Sequence, residues 1–140
     1  MPAPDYAEAL IGWRVWCVVE AAGGLRLASV IQDELWPAGE ELVARCHADR
    51  DPSNSLLLGP AHTAPALDCA CGVHAAREPA TVLSYLRGRN EPGTVGRVLG
   101  RVLLWGRVVE HENGWRASHA DPLDVVAEDP ELVRAFAAYA

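Results

Sequence analysis

Residues 94–120 read TVGRVLGRVLLWGRVVEHENGWRASHA. From Thr94 to Glu112 the stretch is long and rich in Val and Leu, Asn113-Gly114 is a favoured type I′ turn pair, and Trp115 to Ala120 returns, which together predict a β-hairpin. Gly96, Gly100 and Gly106 interrupt the first arm. Glycine within a strand marks a bulge or a barrel bend, so this arm is either one strongly curved strand or two strands joined by a kink.

A second hairpin is predicted upstream. Gly12 to Glu20 has the β-branched and aromatic content of a strand, Ala21 to Gly24 supplies turn chemistry, and Leu25 to Val30 resumes the pattern. Alternation puts Trp13, Val15, Cys17 and Val19 on one face and Arg14, Trp16, Val18 and Glu20 on the other. Both faces are partly apolar, which suits a barrel or a sandwich. Between the hairpins, Pro79 to Gly88 reads as a short helix, with Pro79 in its first turn, Val82, Leu83 and Leu86 at helical spacing and Gly88 as a stop. Asp129-Pro130 opens a C-terminal helix with Asp129 as N-cap and Leu132, Val133, Phe136 and Tyr139 along one side. Tyr6 to Ile11 is compatible with one further helical turn. The expected fold is a β-rich α+β domain over residues 1–140, a small curved β-barrel or sandwich with one short internal helix and a C-terminal helix. Disorder is expected only at the Pro-Ala start and from Asp51 to Gly59.

The formal charge is −7 and the basic residues are scattered, which argues against a surface that tracks phosphates and so against nucleic acid. All 12 basic residues are Arg, a bias of GC-rich bacterial genomes that also removes any lysine chemistry. The sequence offers neither an apolar run long enough to cross a membrane nor a secretory leader, so a cytoplasmic location is expected. In that reducing compartment the four Cys are expected to bind metal or to lie in the core.

Three of them fall with two His in one stretch: Cys46, fifteen residues, His62, six residues, Cys69, one residue, Cys71. Three thiolates and one imidazole form a closed tetrahedral set suited to structural zinc. Gly72 directly after Cys71 can open the backbone toward an ion. This set would pin an otherwise irregular segment, about residues 46–74. His47 is adjacent to Cys46 and poorly placed to share its ion, whereas His74 is a feasible alternative fourth ligand. Cys17, mid-strand, reads as a core thiol.

Residues 62–75, HTAPALDCACGVHA, and the later LWGRVVEH of residues 104–111 resemble a family of uncharacterised actinobacterial proteins with H-x2-P-x3-C-x-C-G-I-Y-A and L-W-G-x-V-x-E-H. The resemblance implies no activity. It favours His62 over His74 as ligand, because the position of His74 is Tyr in that pattern.

A second candidate group is Glu110, His111 and Glu112 beside the turn, with His119, as a proton-transfer or metal cluster; a solvated hairpin end is the simpler reading. Trp36, in a turn context after Asp33-Glu34, is expected to be the exposed member of the five Trp. The functional expectation is a zinc-stabilised, non-catalytic binding or adaptor module with a protein or small-molecule partner. A [2Fe–2S] cluster on the same Cys3His set, or a zinc hydrolase with His62 uncoordinated, are the alternatives. No HExxH or G-x-S-x-G signature supports hydrolysis.

Overall fold

The computed structural model describes residues 5–21, 24–30, 35–38, 40–44, 64–65, 71–87, 92–126, 129–136 and 139; the expected disorder at the start of the chain and from Asp51 to Gly59 lies outside them. Among the described residues six strands are formed, β1 Asp5–Ala21, β2 Gly24–Ser29, β3 Leu42–Val43, β4 Val73–Ala76, β5 Thr94–His111 and β6 Gly114–Val126, followed by the α-helix α1 Pro130–Phe136. All pairings are antiparallel. β1 pairs with β5, β5 with β6, β6 with β4, and β4 returns to β1 through Trp13 and Ala76, so the sheet closes partly into a ring. β2 extends the free stretch of β1 and β3 that of β6.

Both predicted hairpins are present, with two shifts that have physical causes. His111 pairs with Gly114, so the turn residues are Glu112-Asn113 rather than Asn113-Gly114. Gly114 is drawn into the strand because β4 pairs closely beside it, Ala76 opposite Gly114: a Cβ there would overlap the Ala75 carbonyl oxygen and lie 2.8 Å from the Ala76 Cα. β6 also runs on to Val126, past Pro122. Proline has no amide to donate to a ladder, and here it borders a bulge in which β6 carries one extra residue between the partners of Arg101 and Val102.

β5 is one strand, bent at its glycines. Gly106 has φ +81° at a bulge between Trp105 and Val108, a conformation that costs other residues strain. Ser118 on β6 fills the gap the bulge leaves. Its Oγ accepts the Arg107 N–H at 2.9 Å and donates to the Trp105 carbonyl at 3.4 Å.

The ring interior is filled by Trp16, Val18, Leu27, Val98, Val102 and Leu104, all buried, while Val15 and Cys17 are buried on the other face of β1. The edge of β1 changes partner here, from β4 at Trp13 to β2 at Trp16. Arg14 spans the change: Nη1 donates to the His74 carbonyl at 3.1 Å, Nη2 to Ser29 Oγ at 3.4 Å, and its Cζ lies 4.8 Å from the Trp36 ring centroid. Trp36, expected to be exposed, is 1% exposed. Its N–H bonds the Leu27 carbonyl at 2.9 Å, its Nε1–H bonds Ser29 Oγ at 3.0 Å, and its ring meets Trp16 edge to face at 5.4 Å. A backbone bond to the outer edge of β2 thus turns a residue of the predicted turn into core.

The expected helix at Pro79 to Gly88 forms instead as two 3-10 turns, Pro79–Thr81 and Leu83–Leu86. None of its side chains is buried, so no packed face rewards a full α-helix against the β-branched Thr81 and Val82. Tyr6 to Ile11 belongs to β1 rather than to a helical turn, its backbone paired to β5. α1 is capped as expected, Glu131 N–H donating to Asp129 Oδ1 at 2.9 Å. Leu132 and Phe136 pack on the core and Val133 faces solvent. Beyond α1, the buried Tyr139 hydroxyl accepts the Leu27 N–H and donates to the Trp36 carbonyl, both at 2.9 Å. Burial pushes that phenol above its ordinary pKa. No helix among the described residues is long and apolar enough to cross a membrane.

On β6 two carboxylates are displaced in opposite directions. Hydrogen bonds from the Arg101 guanidinium, 2.9 Å from Nε to Oδ2, hold Asp124 below the usual carboxylate range, whereas burial and then the charge of Glu41 push Asp121 above it.

Trp36→Ala is expected to cost about 3–5 kcal/mol in urea unfolding, and Tyr139→Phe about 1–2 kcal/mol, because it leaves the buried Leu27 amide without an acceptor. The carboxylates give opposite pH signatures. A depressed folded pKa makes Asp124 contribute stability above about pH 4 that is lost as pH falls through its folded value; a raised one makes Asp121 cost stability as pH rises from about 4 through its folded value. Thermal melts of Asp124→Asn should therefore lose stability at pH 7 and little at pH 2, and those of Asp121→Asn should gain at pH 7 and not at pH 2.

Candidate functional site

The described part of the predicted metal motif is the corner that leads into β4. Cys71 is 7% exposed and Gly72 follows with φ +117°, which turns the chain into the strand. A Cβ on Gly72 would lie 3.0 Å from the Pro65 Cβ and 3.1 Å from the Arg116 Cβ. Ala64 and Pro65 are buried at this corner. Pro65 of the H-x2-P-x3-C-x-C-G stretch is therefore packed against its glycine.

Arg116 on β6 holds the corner from below. It is 8% exposed, and Nη1 donates to the Cys71 carbonyl at 2.8 Å. A guanidinium held in so dry a position favours negative charge beside it, because charges interact more strongly away from water. Nothing in the sequence pattern singles Arg116 out. Its partner on β4 is His74, and only the pairing of β4 with β6 brings it under Cys71.

β3 and β4 lie end to end on the same edge of β6. Val43 pairs with His119, the Ala44 N–H bonds the Ser118 carbonyl at 2.7 Å, and Val73 pairs with Ala117. Ala44 and Val73 thus meet consecutive residues of β6.

Of the predicted ligands, Cys71 is in this corner, while Cys46, His62 and Cys69 lie outside the described residues, as does His47. Among the described residues no three His, Cys, Asp or Glu side chains gather as a metal site. His74 is exposed on the outer face of β4, its ring 6.1 Å from that of His111. Cys17 is buried on β1, as expected of a core thiol.

The second predicted group is split by the structure. Glu110 forms an exposed ion pair with Arg77 at 2.6 Å, and the Arg77 guanidinium also covers the Trp115 ring at 4.5 Å. Glu112 is an exposed turn residue. His119 is elsewhere: it pairs with Trp105, stacks on its ring at 5.8 Å, and holds Nδ1 2.7 Å from Ser118 Oγ at the Gly106 bulge. Five positions separate Trp105 from Glu110, roughly 16 Å along a strand, so His119 does not join Glu110, His111 and Glu112.

No protein-family model, no curated protein and no solved structure matches this chain.

Replacing Arg116 by Leu is expected to cost about 2–3 kcal/mol in denaturant unfolding, since the Cys71 carbonyl loses a charged donor, and Arg116→Lys should recover part of that.

Proposed function

We propose that this chain is a non-catalytic binding module, a small β-barrel in which one zinc ion held by Cys46, His62, Cys69 and Cys71 pins the segment between β3 and β4 to the sheet. The observation that supports this most directly is the abutment of β3 and β4 on β6. Cys46 follows Ala44 by two residues and Cys71 precedes Val73 by two, so covalent reach alone keeps each within about 7 Å of one junction. His62 and Cys69 lie three residues before and four after Pro65, which packs against Gly72 at that junction.

Charge agrees with the assignment. Three thiolates and a neutral imidazole leave about −1 around Zn2+, and the buried Arg116 guanidinium beside Cys71 offsets it. Four protein ligands leave no position for an activated water, so the ion acts as a cross-link. The remaining surface, acidic overall, is left for a protein or a small-molecule partner.

Metal analysis and an absorbance spectrum of the purified chain test this reading. About one zinc per chain and no visible colour are expected; a brown protein would mean a [2Fe–2S] cluster instead. Cys69→Ser or Cys71→Ser should abolish zinc retention while the far-ultraviolet circular dichroism of the sheet persists, and His62→Ala should weaken retention far more than His74→Ala. Full zinc stoichiometry in either cysteine variant would overturn the ligand set.

A further inference from the structure

His74 and His111 stand on the two strands that flank β6. His74 pairs with Arg116 and His111 with Gly114, so the two lie on a diagonal across β6 on the outer face of the sheet. Flanking strands are about 9.6 Å apart, twice the strand spacing, which ordinarily separates side chains. Here the β6 residue level with His111 is Gly114, which has no side chain, and the rings approach to 6.1 Å between centroids with 48° between their planes. Both residues are exposed to solvent.

That separation has a chemical meaning. Two imidazoles bound to one ion at metal–nitrogen distances of about 2.0–2.1 Å have centroids roughly 4.5–5.3 Å apart at octahedral or tetrahedral angles, so these exposed rings, at 6.1 Å, need to close by only about 1 Å to share an ion. Imidazole nitrogen suits Zn2+, Ni2+ and Cu2+, while Mg2+ and Ca2+ prefer oxygen. We propose that His74 and His111 form a two-imidazole site for a divalent transition-metal ion, which clamps β4 to β5 across β6. Water completes the coordination, because the site faces solvent. The site is separate from the thiolate set and does not depend on it; His74 serves this clamp rather than the cysteines.

The test is a titration of the full, zinc-analysed chain with Ni2+, followed by calorimetry, with zinc release and the thermal midpoint measured alongside. Nickel is expected to bind once per chain and to raise the thermal midpoint without releasing zinc. His74→Ala and His111→Ala should each weaken nickel binding by about tenfold or more, since the second imidazole acts as an intramolecular ligand. The double variant should be little weaker than either single one, and His119→Ala should bind as the parent does. Circular dichroism and the metal-free thermal midpoint of each variant establish that it is folded. If a folded His111→Ala binds nickel like the parent, if His119→Ala loses as much, or if nickel uptake releases an equal amount of zinc, the assignment is wrong.

Discussion

Arg14 bridges the place where β1 exchanges one neighbour for another, and the partial ring depends on that bridge. A backbone ladder cannot cover the break between β4 and β2, so the carbonyl of His74 and the hydroxyl of Ser29 are joined by a guanidinium, which Trp36 covers with its face. A cation on an indole face that is partly shielded from water contributes about 1–2 kcal/mol. The Trp36 indole N–H, through Ser29, then ties the same group to the core. At this edge β4 meets β1 through a single backbone pair, Trp13 with Ala76, and the Arg14 side chain braces the ladder where that pairing ends.

β6 organises the opposite side. One edge meets β5 along almost its whole length, and the other is shared by two short strands, β3 and β4, that lie end to end on it. Ala117 and Ser118 are where the two strands abut. The Ser118 hydroxyl also satisfies the Arg107 amide at the Gly106 bulge, so the bulge of β5 and the end of β3 meet at one residue. The buried Arg116 lies one position further along.

Much of the sheet was legible from local chemistry. The Val/Leu-rich arm, its interrupting glycines and the turn chemistry of Ala21 to Gly24 describe interactions within or between neighbouring segments, and the strands they connect appear as one long strand with a bulge and two antiparallel pairs. What escaped was set by distant contacts. The burial of Trp36 follows from a bond to Leu27, the position of the Glu112-Asn113 turn from the backbone of β4 beside Gly114, and the continuation of β6 past Pro122 from a bulge opposite Arg101. Pro79 to Gly88 had helical spacing but no surface to pack on, and spacing alone does not form a helix of that length. Of the corner before β4, the sequence singled out Cys71 and Gly72 only as part of a metal motif whose other members, Cys46, His62 and Cys69, lie outside the described residues; Arg116, on a strand 45 residues away, carries no local signal.

Tyr139 reaches across 112 residues to the Leu27 amide. Joining chain segments so far apart is entropically costly, and topologies dominated by such pairings fold slowly. β2 presents the edge that the tyrosine seals as soon as its local hairpin with β1 forms, whereas the tyrosine arrives only after closure over 112 residues. A contact completed after the rate-limiting barrier leaves the folding rate almost unchanged and instead slows unfolding. If the tyrosine bond forms that late, its consequence is kinetic: it would act as a latch on the lifetime of the native state rather than as a nucleus for its assembly.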